Sequence, residues 1–318
     1  MEHLIEASLR YFLGTGDRES RVWVFNPDEP STFLRSSTHF GDDRFGIHVI
    51  DPYGGLQPFL LNYDALTNEI HIGWRPTAIL DTNLVNYLHR YVSLGPGFDP
   101  VCAHITSDFL RFVISQHLDY NPFFYYVEGS AKDENDKLLD YATAVSRSIL
   151  LLHTMDEERF LAAGSISTDP AKLALYANEY GAQTIEEIAE LHAREMVRPV
   201  DPYIDGLSRL IYATLLKIGL IHRNSRRSIS AKYNEMLAFM QDVLDVAAGP
   251  ERMLALGYFA GQFDEFIPLQ RGAKADRLLK RLRASAWDLL LLRLPAHLLS
   301  TSKQDEVVLV CGAKRRGV

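Results

Sequence analysis

The chain has 318 residues, 47% of them hydrophobic and 23% charged, a globular balance that argues against disorder and, with no run of about 18 apolar residues, against a membrane-spanning helix. Its net charge of −8, from 33 basic and 41 acidic residues, speaks against a polyanion binder working through bulk charge. A length of 318 suggests roughly two domains, or one domain carrying a large insertion.

Met1 to Asp17 is interrupted by Glu2, Glu6, Arg10 and Asp17, so it shows neither the apolar stretch nor the cleavage site of a secretory signal, and a cytoplasmic protein is expected. The next segment reads as a small β-rich N-terminal module over residues 1–76. Arg21–Phe25 and Gly46–Ile50 are short β-branched or aromatic runs, bounded by the turn-forming Asn26-Pro27-Asp28 and Asp51-Pro52-Tyr53-Gly54-Gly55. Phe59–Tyr63 and Glu69–Trp74 read as a further pair of strands.

From Thr77 the texture changes. Thr77-Ala78-Ile79-Leu80 is an apolar strand that runs into Asp81-Thr82-Asn83 and then into a helical pattern of Leu84, Val85, Tyr87, Leu88 and Tyr91. A helix is expected over Ser107–His117, and Asn121-Pro122 looks like a cap with proline at the first helical position. Residues 131–260 read as nearly all helix. Leu138–His153 is amphipathic, Asp169-Pro170 opens another helix, Thr184 to Glu187 fits a capping box, and Leu207–Ile221 and Lys232–Val246 continue the series. Asp276–Arg283 is a basic helical stretch, Ala286–Leu299 an apolar helix with Asp288 in its first turn, and Val307–Cys311 a run suited to a buried parallel strand.

Familiar chemistry is missing from this pattern. There is no GxxxxGK[ST], HExxH, GxSxG or EF-hand loop. Cys102 and Cys311 lie far apart without a CxxC, which points to buried thiols. His192 and Glu195 share a helix face and read as solvated. Acids at strand and helix ends remain. An acid closing a strand such as Thr77–Leu80 faces the crevice where ligands of open parallel sheets collect, which makes Asp81 the best-placed acid in the chain. Glu128 sits among large aromatics, where an unpaired carboxylate is costly to bury. Asp288 lies between Trp287 and Leu289. Each has a structural alternative: Asp81 as a helix cap, Asp288 as an acid at a helix N-terminus, Glu128 as the partner of Lys132.

In this order the residues resemble PIN-domain ribonucleases. Thr77 to Asn83 looks like that family's opening strand and Asp-Thr-Asn signature, Asn121–Lys132 is similar to the segment with its second acid, and Ala286-Trp287-Asp288 resembles the helix start with its third. The fourth acid usually follows the last core strand, where this chain has Lys314. The resemblance implies an α/β PIN-like domain over 77–318, its parallel sheet flanked by helices and interrupted by the helical insertion at about 131–260. It implies Mg²⁺ or Mn²⁺ held by Asp81, Glu128 and Asp288 as catalytic metal ligands, with Thr82 and Asn83 orienting Asp81. The substrate would be RNA, in a toxin or phage-defence setting, and there is room for a protein inhibitor or partner and for homo-oligomers.

RNA needs positive charge, and the chain supplies it locally. From Ile211 onward there are 17 Lys and Arg against 10 Asp and Glu, a net of +7, leaving 16 against 31, or −15, for residues 1–210. Arg223, Arg226, Arg227 and Lys232 form one group. Lys274, Arg277, Lys280, Arg281 and Arg283 form another that runs towards Asp288. Lys280, Arg281, Arg283 and Lys314 are the candidate phosphate contacts, against the alternative of a solvated helix face. Tyr125, Tyr126 and Trp287 have the spacing of core aromatics, although aromatics also stack on bases. The second functional reading is a PIN-like scaffold that binds a partner without cutting, and Lys314 in place of an acid favours it.

Overall fold

A computed structural model gives the fold and describes residues 10, 14, 22–30, 38–42, 45–51, 56–61, 75–132, 138–263, 274–301 and 306–315. The chain divides into two units. The first comprises Met1–Pro199 with Leu294–Val318, and the second Val200–Arg293.

The first unit is an α/β fold built on a five-stranded mixed sheet. Its strands are β2 (Thr38–Gly41), β3 (Phe45–Ile50), β5 (Arg75–Leu80), β6 (Asp119–Asn121) and β7 (Glu306–Arg315), in the order β2-β3-β7-β5-β6; β1 (Val22–Pro30) and β4 (Leu56–Leu61) form a separate antiparallel pair. β7, β5 and β6 are parallel, while β2 and β3 join antiparallel to the β7 side. The parallel sheet expected from the sequence is therefore only three neighbouring strands of a mixed one. The strand at 45–50, which reads as part of an N-terminal module, hydrogen-bonds along β7 near the other end of the chain.

Alternate residues of a strand face opposite sides of its sheet. Thr77, Ala78, Ile79 and Leu80 are all buried, so both faces of β5 are covered. The covering comes from α1 (Thr82–Leu94), α2 (Pro100–Ser115) and α3 (Phe123–Lys132), followed by α4 (Leu138–His153), α5 (Glu157–Ala163), α6 (Pro170–Tyr180) and α7 (Ile185–Met196). α1 packs on β7 and α4, α2 on β2 and β3, and α4 on α7. α2 begins seven residues before the expected helix, because Asp99 caps it and Pro100 occupies its first position. The capping box at Thr184 and Glu187 is formed, and Asp169 caps α6. The short strands β2 and β6 were not foreseen; at four and three residues they carry too little period to be seen. The expected strand at Glu69–Trp74 lies outside the described residues.

The second unit holds α8 (Pro202–Asn224), α9 (Ile229–Ala238) continuing into a π-helical turn at Phe239–Val243, and α10 (Gly249–Phe259). It also holds most of α11 (Ala275–Thr301). The sequence suggests two helices where α11 is one. Ala284 and Ser285, between the basic and apolar stretches, include neither glycine nor proline, so nothing stops the helix there. Among the described residues no helix is long and apolar enough to cross a membrane.

Candidate active site at the strand ends

β5 stops at Leu80 because Asp81, at φ −69° and ψ 161°, turns the chain into α1 and caps it. Its Oδ1 accepts a hydrogen bond from the Leu84 N–H at 2.6 Å. The helix that follows is held by Leu84, Val85 and Leu88, all fully buried. The alternative of a helix cap is thus true of Asp81, and it coexists with a position at the end of a central strand.

β7 runs past that end. Leu80 pairs with Cys311, the Asp81 N–H donates to the Cys311 carbonyl at 2.8 Å, and Gly312 and Ala313 then pass beside the Asp81 carboxylate. The Ala313 N–H lies 3.3 Å from both carboxylate oxygens. Glycine at 312 permits this approach, since a Cβ there would sit 3.1 Å from Asp81 Oδ2. One sign of it is legible along the chain, a glycine directly after a buried apolar run.

Glu128 is placed by α3, whose Phe124 to Val127 are buried, and is itself only 8% exposed. Its carboxylate accepts from the Thr82 hydroxyl through Oε2 and pairs with the Lys132 ammonium through Oε1. Those two partners meet the cost of burying it. Thr82 therefore serves Glu128, and backbone N–H groups from Leu84 and Ala313 orient Asp81. Asn83 is exposed on the first turn of α1. Cys311, buried against this site, has its thiol pushed up by burial first and by the Asp81 charge second, so it stays protonated and unreactive.

The remaining expected residues are placed as follows. Asp288 is exposed in the middle of α11, in the second unit, not in the first turn of a helix. Trp287 beside it is buried, as are Tyr125 and Tyr126, so these aromatics are core and not stacking surfaces. Lys280 and Arg283 are exposed, Arg281 is half-buried, and the Arg283 guanidinium lies 5.7 Å from the centre of the Tyr212 ring. The backbone of Lys314 pairs with Gly46; its side chain lies outside the described residues. Among the described residues no group of three or more His, Cys, Asp and Glu is placed to hold a metal ion.

No family model, curated protein or solved structure matches the chain. The site is read from its own residues.

A second polar cluster escaped the sequence reading. The Tyr126 hydroxyl lies 2.6 Å from Ser146 Oγ, which lies 3.1 Å from His192 Nδ1; His89 Nδ1 lies 2.8 Å from Ser148 Oγ. His192 is thus half-buried and hydrogen-bonded, where the sequence suggests a solvated side chain. Burial lowers its pKa, with the Glu195 charge acting the other way, and lowers that of His89 too. Two serines at positions i and i+2 of α4 leave no periodic mark in the sequence.

Proposed function

We propose that the protein is a metal-dependent ribonuclease of PIN-like fold, with Asp81 and Glu128 as the ligands of one Mg²⁺ or Mn²⁺. The observation that carries this reading is the Thr82 hydroxyl on Glu128: the residue next to Asp81 ties the second acid to the end of β5. The donor set suits such an ion, since Mg²⁺ usually takes one or two carboxylates from the protein and the rest from water and phosphate. Glu128 pairs with the Lys132 ammonium, which an ion would have to displace.

When bound, the ion supplies a polarised phosphoryl oxygen and a more acidic water. The chain's own residues do the rest. Asp81 is held by Leu84 and Ala313 N–H groups, and therefore offers its oxygens without rearrangement. Lys132, displaced from Glu128, is left to pair with a phosphate. Lys314 as a phosphate contact and a toxin or phage-defence role belong to the same proposal.

The test is cleavage of a labelled RNA pool in Mn²⁺, in Mg²⁺ and in EDTA by the wild type, Asp81→Asn and Glu128→Gln. Cutting that needs metal and falls at least about 100-fold in the two variants supports the reading. Folded protein that cuts under no condition, or cuts equally without Asp81, overturns it.

One observation favours a non-catalytic binding protein instead. Both Glu128 oxygens are already engaged within the chain, by Thr82 and Lys132, so the acid is satisfied without any ion.

A further inference from the structure

The register of the five-stranded sheet places two histidines in one row with Asp81. His39 on β2 pairs with His48 on β3, and His48 pairs with Gly312 on β7. Residues directly opposite each other on neighbouring strands share a face of the sheet. Gly312 in turn stands beside Asp81, since a Cβ at 312 would lie 3.1 Å from Asp81 Oδ2. The row therefore runs His39, His48, Gly312, Asp81, from β2 to the end of β5. Its two rings are stacked, with centroids 4.4 Å apart.

The opposite face belongs to the core. Ile47, Val49, Cys311 and Ala313, which alternate with the row, are all buried, and the Phe40 ring packs on Phe109 and Phe112 of α2. His39 is exposed, by contrast, and His48, Gly312 and Asp81 are half-buried, so solvent reaches the row along its length. Opposed positions have Cβ atoms about 4.5–5.5 Å apart, which puts the His48 Cβ within about 9 Å of Asp81 Oδ2. The residue between them is a glycine. An imidazole and a carboxylate thus stand on either side of a gap that no side chain fills.

We propose that His48 is a further catalytic residue, which gives a proton to the leaving oxygen of the phosphodiester. The step rests on the ribonuclease reading. In-line hydrolysis needs groups on both sides of the phosphorus. On the Asp81 side a water oxygen bonds to phosphorus and its proton passes to solvent. On the His48 side the bond from phosphorus to the leaving nucleoside oxygen breaks, and that oxygen takes the proton of the imidazolium, which solvent restores. An alkoxide departs poorly without a proton, and imidazole is the side chain best suited to supply one near neutral pH. His39, stacked on the ring, restricts how it can turn.

The experiment compares full-length wild type, Asp81→Asn and His48→Gln on one RNA in Mn²⁺, and on the same RNA with sulfur in place of the oxygen that leaves, as identified from the product ends. A thiolate departs without a proton. His48→Gln should lower kcat on RNA at least about 100-fold with KM within about threefold, and should cut the sulfur substrate within about threefold of wild type. Asp81→Asn should cut neither, and melting temperatures show that both variants fold. In EDTA, where nothing is cut, the NMR signal of the His48 ring, assigned by its absence from His48→Gln, should shift when the RNA is added. Full activity of His48→Gln on RNA, a loss that sulfur does not restore, or a ring signal indifferent to RNA overturns the proposal and leaves the ribonuclease reading standing. Wild type that cuts neither substrate overturns that reading, and this step with it.

Discussion

The Thr82 hydroxyl donates to the Glu128 carboxylate across 46 positions of sequence, so the residue that follows one candidate acid holds the other. Thr82→Val keeps the shape and removes the donor, leaving a nearly buried carboxylate with Lys132 alone. A loss of about 1–3 kcal/mol in unfolding free energy is expected. Thr82→Ser, which retains the hydroxyl, should recover most of it. Urea denaturation of the three proteins decides, and equal stability of wild type and Thr82→Val would show that the bond contributes nothing.

Gly312→Ala tests the close approach of β7 to Asp81. The new Cβ would stand 3.1 Å from Asp81 Oδ2, and the carboxylate has little freedom to retreat, being held by Leu84 at 2.6 Å and by Ala313 at 3.3 Å. Overpacking of this kind costs about 1–3 kcal/mol. A lower melting temperature is expected, along with loss of whatever activity depends on Asp81. A variant as stable and active as the wild type would mean that the strand end gives way easily.

How much of this was legible varies with the length of the signal. The turn from β5 into α1 at Asp81 reads directly from four apolar residues followed by Asp-Thr-Asn and a helical period, and the caps at Asp169 and Thr184 read from their side chains alone. The pairing of β3 with β7 was not legible, because nothing local in Phe45–Ile50 records a partner more than 250 positions away. Asp288 was misplaced for the opposite reason. A change from basic to apolar side chains looks like a helix boundary, although the backbone propensity of Arg283 to Ala286 is continuous. The Thr82–Glu128 bond and the Tyr126–Ser146–His192 chain depend on which helix faces pack together, and three-dimensional packing alone reveals that.

His153 makes stability depend on pH. Its native pKa of about 4 lies below the ordinary value of 6.5 because burial disfavours the imidazolium, an effect only partly offset by its bond to the Tyr120 carbonyl. Between those two values the unfolded chain binds the proton and the native one does not, so stability falls as the pH drops through this window and is level above it. From pH 7 to pH 5 this group alone removes up to about 2 kcal/mol. His89 and His192, also lowered, act in the same direction. His153→Gln should flatten the curve between pH 7 and 5 relative to wild type, as read by denaturant midpoints. An unchanged slope would show that His153 is not buried in its neutral form.

Glu251 and Arg293 form the corresponding test in the second unit. Glu251, in the first turn of α10, is 3% exposed; its Oε1 pairs with the Arg293 guanidinium from α11, while Oε2 is buried without a partner among the described residues. Removing one member of such a pair leaves a buried charge uncompensated, at a cost of about 3–5 kcal/mol, whereas removing both is often close to neutral. Arg293→Met alone should therefore destabilise strongly. The double variant Glu251→Leu, Arg293→Met should recover most of the loss, because the desolvation of Glu251 disappears with its charge. A double-mutant cycle in guanidinium measures this coupling, and an additive result would mean that the two side chains are not coupled in the native protein.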